Sequence, residues 1–227
     1  MFTPFPDYSR PLRFLRLNSL HHINTINSMS LNPADKTIVF IIKPILFIVC
    51  LVPFIALVIG AVNNTLGTNP VETMTHETGD WTLRFLLATL TITPLRRLSG
   101  KSWLIKLRRM LGLYAFFYAC LHFMTYIWFD QYFDWMGIIE DIPKRPFITV
   151  GFTAFVLLIP LAVTSSNKMV RRLKKNWVKL HKLVYVIAVL GILHFLWLVK
   201  ADIREPLIYA SILLILLGYR AYYQRKK

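Results

Sequence analysis

The chain has 227 residues, of which 56% are hydrophobic and 17% charged, with a mean hydropathy of +0.51. It carries 27 Lys and Arg against 11 Asp and Glu, a formal net charge of +16. So much apolar mass excludes a disordered polycation and argues against a soluble nucleic-acid binder, whose basic residues decorate a polar surface. The combination fits a polytopic membrane protein whose positive charge sits in its loops. At this length no second large catalytic domain is expected beside a helical membrane domain.

The first 35 or so residues are rich in Asn, Ser and Pro and hold His21 and His22. They lack the continuous apolar core of a signal peptide. Two readings stand: a flexible cytoplasmic extension, or an upstream start with the functional start at Met29. The expected division is therefore an extension over 1–36 and a membrane domain over 37–227, with no fixed structure before about residue 36.

Six apolar stretches follow, at 41–62, 80–95, 109–129, 147–164, 177–199 and 206–223. Each approaches the roughly 20 residues that cross a 30 Å hydrocarbon core as a helix. Barrel strands would alternate every second residue over about ten residues, and these do not. The expected fold is an all-α membrane protein, a six-transmembrane-helix bundle.

The charges between the stretches orient it. The 94–110 connection carries Arg96, Arg97, Lys101, Lys106, Arg108 and Arg109 and no acid. The 166–182 connection carries Lys168, Arg171, Arg172, Lys174, Lys175, Lys179 and Lys182, again with no acid. The tail adds Arg220, Arg225, Lys226 and Lys227. The other connections hold Glu72, Glu77 and Asp80, then Asp130, Asp134, Glu140 and Asp141, then Asp202 and Glu205. Positive loops stay in the cytoplasm, so both termini are expected there and the acidic connections on the far side.

Cys50 and Cys120 lie inside apolar runs and form neither a disulfide framework nor a zinc-ligand spacing. No GxGxxG fingerprint is present. Near the helix ends, Trp128, Trp135, Trp197 and Tyr222 read as an interfacial aromatic belt. The histidines carry more. His76 is placed in the first far-side loop, whereas His122 lies in the third apolar stretch and His181 and His194 in the fifth. A lone intramembrane histidine often only hydrogen-bonds a neighbouring helix. Three on two helices favour function, because ionisable groups are costly there.

His122 and His194 fall at similar depth in the outer halves of their helices, as two axial imidazoles on one heme iron would. His181 lies 13 residues before His194, about 20 Å along a helix axis, so it marks a second, inner site. On a straight helix the two also point some 140° apart, at about 100° per residue. Arg108 and Arg109 lie at the inner depth, where they either pair with an anionic heme propionate, flavin phosphate or lipid phosphate, or are loop charges. Arg84 either snorkels to the outer interface or holds a heme propionate.

The stretches FLLATLTITPL (85–95), RRMLGLYAFFYACLHFMTY (108–126), KRPFITVGF (144–152), WVKLHKLVYVIAVLGILHFLWLVK (177–200) and EPLIYA (205–210) resemble the MsrQ (YedZ) family. These are heme-binding membrane subunits of bacterial periplasmic methionine sulfoxide reductase systems, within the ferric-reductase-like transmembrane group. The resemblance covers roughly residues 38–220. In that wider group two histidines on the third helix pair with two on the fifth to hold two stacked b-type hemes. Here His181 and His194 have the family's spacing, but the third helix offers His122 alone, and the position 14 before it is Arg108. The outer heme thus carries over by residue, as His122 and His194. The inner one does not, and His181 either ligates a second heme with an unidentified partner or lines a quinone or flavin site.

The resemblance implies a bacterial inner-membrane, multi-pass redox subunit rather than the catalytic methionine sulfoxide reductase. It would take electrons from the quinone pool and pass them through heme b to a periplasmic molybdopterin-containing partner, supporting repair of oxidised proteins. FMN is implied as a further cofactor. The alternative is a ferric-reductase-like heme protein fed by a separate cytosolic flavin reductase, since no flavin and nicotinamide domain is expected after Tyr223.

Overall fold

The computed structural model describes residues 33–199 and 202–226, and every regular element in it is helical. Residues 1–32, most of the expected N-terminal extension, lie outside the described residues. The helices are α1 (Pro33–Val62), α2 (Pro70–Ser99), α3 (Ile105–Thr125), α4 (Trp135–Lys144), α5 (Pro146–Val163), α6 (Asn167–Leu173), α7 (Lys175–Leu180), α8 (Leu183–Leu198) and α9 (Arg204–Arg225). Among the described residues, five stretches are long and apolar enough to cross a membrane: Asp35–Val62, Ser102–Asp130, Pro146–Val163, Lys175–Leu198 and Arg204–Arg225. The protein is therefore an all-helical, multi-pass membrane protein.

The remaining long helix, α2, is less apolar for a structural reason. It lies at the centre of the bundle, where Leu83, Phe85, Leu86, Leu87 and Leu90 are buried. Its threonines are accommodated by hydrogen-bonding back to their own helix, as Thr78 to Met74 O (2.7 Å) and Thr89 to Phe85 O (2.8 Å). It also starts ten residues before the apolar stretch at 80–95. The Asn69 side chain caps it by accepting from the Glu72 N–H at 3.3 Å, and Pro70 fits the first turn. His76 consequently stands on a helix and not in a loop, a correction to the hydropathy reading. Gly100 ends α2 in the left-handed conformation, φ 68°.

α2 pairs most extensively with α3, and α5 with α8, while α9 packs on α2 and α8. An aromatic stack welds the first pair, with Phe85 and Tyr118 ring centroids 5.3 Å apart. α1 is tied on at its own proline. Pro53 has no N–H and disturbs the helical ladder, and the Tyr118 hydroxyl inserts there. It donates to Cys50 O at 2.9 Å and accepts from Phe54 N at 3.1 Å. Elsewhere α1 and α9 present Phe40, Ile48, Leu214 and Ile215 outward, the lipid-facing pattern of membrane helices.

Two connections contain helices that hydropathy alone misses. Between α3 and α5 the chain makes one wide π-type turn, Tyr126–Asp130, and then passes Tyr132 and Phe133 at φ 46° and 62°. Left-handed backbone at two bulky residues is strained. Asp134 then caps α4 by accepting from Gly137 N at 3.1 Å. In the basic connection, α7 breaks from α8 at His181–Lys182. The straight-helix angle between His181 and His194 therefore does not apply.

Candidate cofactor-binding site

His122 on α3 and His194 on α8 face each other, with ring centroids 6.0 Å apart and planes at 79°. Each ring is fixed from behind by a backbone carbonyl. His122 Nδ1 lies 2.9 Å from Thr75 O, and His194 Nδ1 lies 2.7 Å from Phe147 O. A carbonyl oxygen only accepts, so each Nδ1 carries the proton and donates it. That leaves each Nε2 with its lone pair, the form in which neutral imidazole binds a metal.

The spacing can be tested against that chemistry. A metal–imidazole bond is about 2 Å, and a ring centre lies roughly 1 Å behind its nitrogen, so two rings sharing one metal put their centroids about 6 Å apart. The observed separation matches. Among the described residues no group of three or more His, Cys, Asp or Glu side chains converges to hold a bare ion. Two imidazoles instead suit an iron whose other positions a macrocycle fills. The expected heme fits these residues.

Two glycines make the arrangement possible. Each stands four residues after the carbonyl that holds the ring, one turn on along the same helix face. A Cβ on Gly79 would lie 3.1 Å from His122 Cε1, and a Cβ on Gly151 would lie 2.6 Å from His194 Nδ1. The second contact is closer than side chains tolerate, so only glycine admits the ring there.

The pair lines a cavity of about 730 Å³, within the range of small-molecule sites. Leu83, Leu86, Phe123, Phe155 and Ile187 give it apolar walls. Carboxylates collect around it: Glu72, Asp80, Asp130, Asp202 and Glu205. Arg84 is not part of this lining. It points between helices, where Nε donates to the Tyr209 hydroxyl at 2.9 Å, Nη2 pairs with Asp80 at 3.2 Å, and the guanidinium lies 4.8 Å from the Trp81 ring centroid.

His181 is separate from this site. Its ring stacks on Trp177 at 3.9 Å, its Nδ1 meets Trp177 O at 3.1 Å, and its Nε2 is buried with no hydrogen-bond partner among the described residues. Arg108 is a charged neighbour of this imidazole. Arg109 instead reaches Asn167 across the basic connection.

Comparison with known proteins adds the lineage. The model of the family described as "Ferric reductase like transmembrane component" matches residues 78–192. A protein from Herminiimonas arsenicoxydans is 55% identical over 202 residues, 88% of this chain and 92% of the relative. It is named "Protein-methionine-sulfoxide reductase heme-binding subunit MsrQ". The chain belongs to the MsrQ family. Two further MsrQ relatives carry the same name. One, from Xanthomonas campestris pv. campestris (strain 8004), is 58% identical over 160 residues, 70% of this chain and 73% of the relative. The other, from Azospira oryzae, is 53% identical over 181 residues, 79% of this chain and 78% of the relative. The matched ferric-reductase segment contains His122 and His181 and stops two residues short of His194.

For this MsrQ-family chain, sequence reasoning singled out the three intramembrane histidines but missed what holds two of them. Backbone carbonyls leave no trace in composition. Gly151, an isolated glycine inside an expected helix that otherwise disfavours it, was the available signal, whereas Gly79 lay just outside the apolar stretches and gave none.

Proposed function

We propose that this chain is an electron-transfer subunit of the bacterial inner membrane. It takes electrons from the quinone pool and passes them through b-type heme to a periplasmic, molybdopterin-containing methionine sulfoxide reductase, supporting repair of oxidised proteins. The observation that carries this reading is the facing pair His122 and His194, 6.0 Å apart by centroid, each with Nδ1 committed to a carbonyl and Nε2 left to bind iron. A bound heme supplies one-electron redox chemistry at a potential set by its axial ligands and surroundings.

The chain's own residues prepare the site. The Thr75 and Phe147 carbonyls fix ring orientation and tautomer, which also raises ligand basicity. Apolar side chains such as Leu83, Leu86 and Phe155 line much of the cavity around the pair. The charge distribution supports six spans, with α2 as the central one and both termini cytoplasmic, because the acid-free basic connections then lie inside. On that orientation His181 and Arg108 lie on the inner side, where electrons enter, and His122 and His194 lie outward, where they leave. The buried, unpartnered His181 Nε2 supports a second redox group or quinol at the inner site. The basic inner connections suit the phosphate of FMN.

The test is a reduced-minus-oxidised spectrum of the purified protein. It should show low-spin b-type heme, lost in His122→Ala and in His194→Ala. A heme-free wild type, prepared with heme supplied, would sink the proposal.

A further inference from the structure

A residue before proline is pushed out of the helical region, and Arg145, preceding Pro146, sits at φ −111°, ψ 105°. The chain turns there between α4 and α5, beside the cavity that holds the two imidazoles. Arg145 lines that cavity and is the one Lys or Arg among its described lining residues.

The guanidinium is aimed by a network. Arg145 Nε pairs with Asp141 Oδ1 at 2.8 Å. The other Asp141 oxygen accepts from the Tyr126 hydroxyl at 3.0 Å and from Gln131 Nε2 at 3.3 Å. The Asp141 side chain is only 13% exposed. The π-type turn after α3, the following loop and the end of α4 thus converge on one carboxylate, and that carboxylate holds Arg145 by a single edge. A guanidinium has five N–H donors in a planar fork. With Nε engaged and the side chain half-exposed, both Nη groups are outside any ion pair among the described residues.

We infer that Arg145 is the carboxylate-recognition residue of the His122–His194 site, pairing through its Nη groups with an acidic substituent of the bound tetrapyrrole. The inference rests on the heme reading. Five carboxylates, Glu72, Asp80, Asp130, Asp202 and Glu205, share the lining, so Arg145 is its one guanidinium for an anionic substituent among the described residues. Arg145 would thereby set how a bound tetrapyrrole is turned within the site. Asp141 is a positioning residue, acting through Arg145.

The test is uptake of heme and of heme dimethyl ester, whose propionates are masked, by heme-depleted protein in detergent. The pair of ligands separates recognition of the carboxylate from general damage to the site. Wild type should bind free heme more tightly than the ester. Arg145→Leu should bind free heme about tenfold more weakly, as for loss of a charge-assisted hydrogen bond, with ester uptake little changed. Arg145→Lys, which keeps the charge without the fork, should fall between, and it carries the test if the leucine variant fails to fold by gel filtration. An equal loss for both ligands, or no loss for either, would overturn the assignment and leave Arg145 a staple between α4 and α5. Failure of wild type to take up either ligand would instead defeat the heme reading.

Discussion

Gly151 leaves His194 the space its ring occupies: a Cβ at position 151 would stand 2.6 Å from Nδ1. The neighbouring atoms are the imidazole itself, already fixed at 2.7 Å to Phe147 O. Gly151→Ala must therefore shift the ring and disturb its hydrogen bond to the Phe147 carbonyl. Heme retention is expected to weaken about tenfold or more, the usual cost of disturbing a ligand's supporting shell. Gly79→Ala meets His122 at 3.1 Å, a gap that a few tenths of an ångström relieve, so its loss should be several-fold smaller. Heme titration of both variants checks the order, and a reversed order would show that the glycines do not set ring position.

His181→Ala tests the inner site. The variant should keep the spectrum of the His122–His194 heme and lose either quinol-driven reduction or a separate second heme signal. Stopped-flow reduction by a quinol, alongside pyridine hemochrome quantification of heme per chain, reads both. Unchanged turnover and heme content would make His181 a structural residue whose ring merely stacks on Trp177.

The segments and the two facing imidazoles were legible because each has a signature that survives without coordinates. Long apolar runs mark helices, and histidines in such runs are costly unless used. What stayed hidden has no residue code or depends on tertiary context. The polar start of α2 looked like a loop because the capping of Asn69 and Pro70, and not hydropathy, determines that helix. α4 hid in a charged connection because it is only ten residues long and buries little beyond Ile138. Arg145 carries no signature of its own in the sequence. Only the turn forced by Pro146, and a carboxylate four residues earlier on α4, bring it to the cavity.

Arg84 separates the two arginines by function. Its Nε is occupied by Tyr209, its Nη2 by Asp80, and it lies outside the cavity lining. Arg84→Met should leave free-heme and ester-heme uptake unchanged while loosening α2 from α9. Because the side chain is partly exposed, the expected cost is modest, on the order of 1 kcal/mol. Thermal unfolding in detergent and heme titration of one preparation check both halves. A loss of free-heme affinity with ester uptake intact would return the carboxylate-binding role to Arg84.

Tyr118 is where the packing of α1 can be broken with a single oxygen. Its hydroxyl bridges Cys50 O and Phe54 N across the Pro53 interruption, and the side chain is fully buried. Tyr118→Phe keeps the ring stacked on Phe85 but takes the hydroxyl away from a part-buried N–H and a buried carbonyl. Unsatisfied groups of this kind cost roughly 1–3 kcal/mol. The apparent unfolding midpoint in detergent should fall. The heme spectrum should not change, because Tyr118 lies outside the cavity lining. If the ladder of α1 satisfies both groups by itself, the midpoint stays where it is. That outcome would show that the hydroxyl is not what ties α1 to α3.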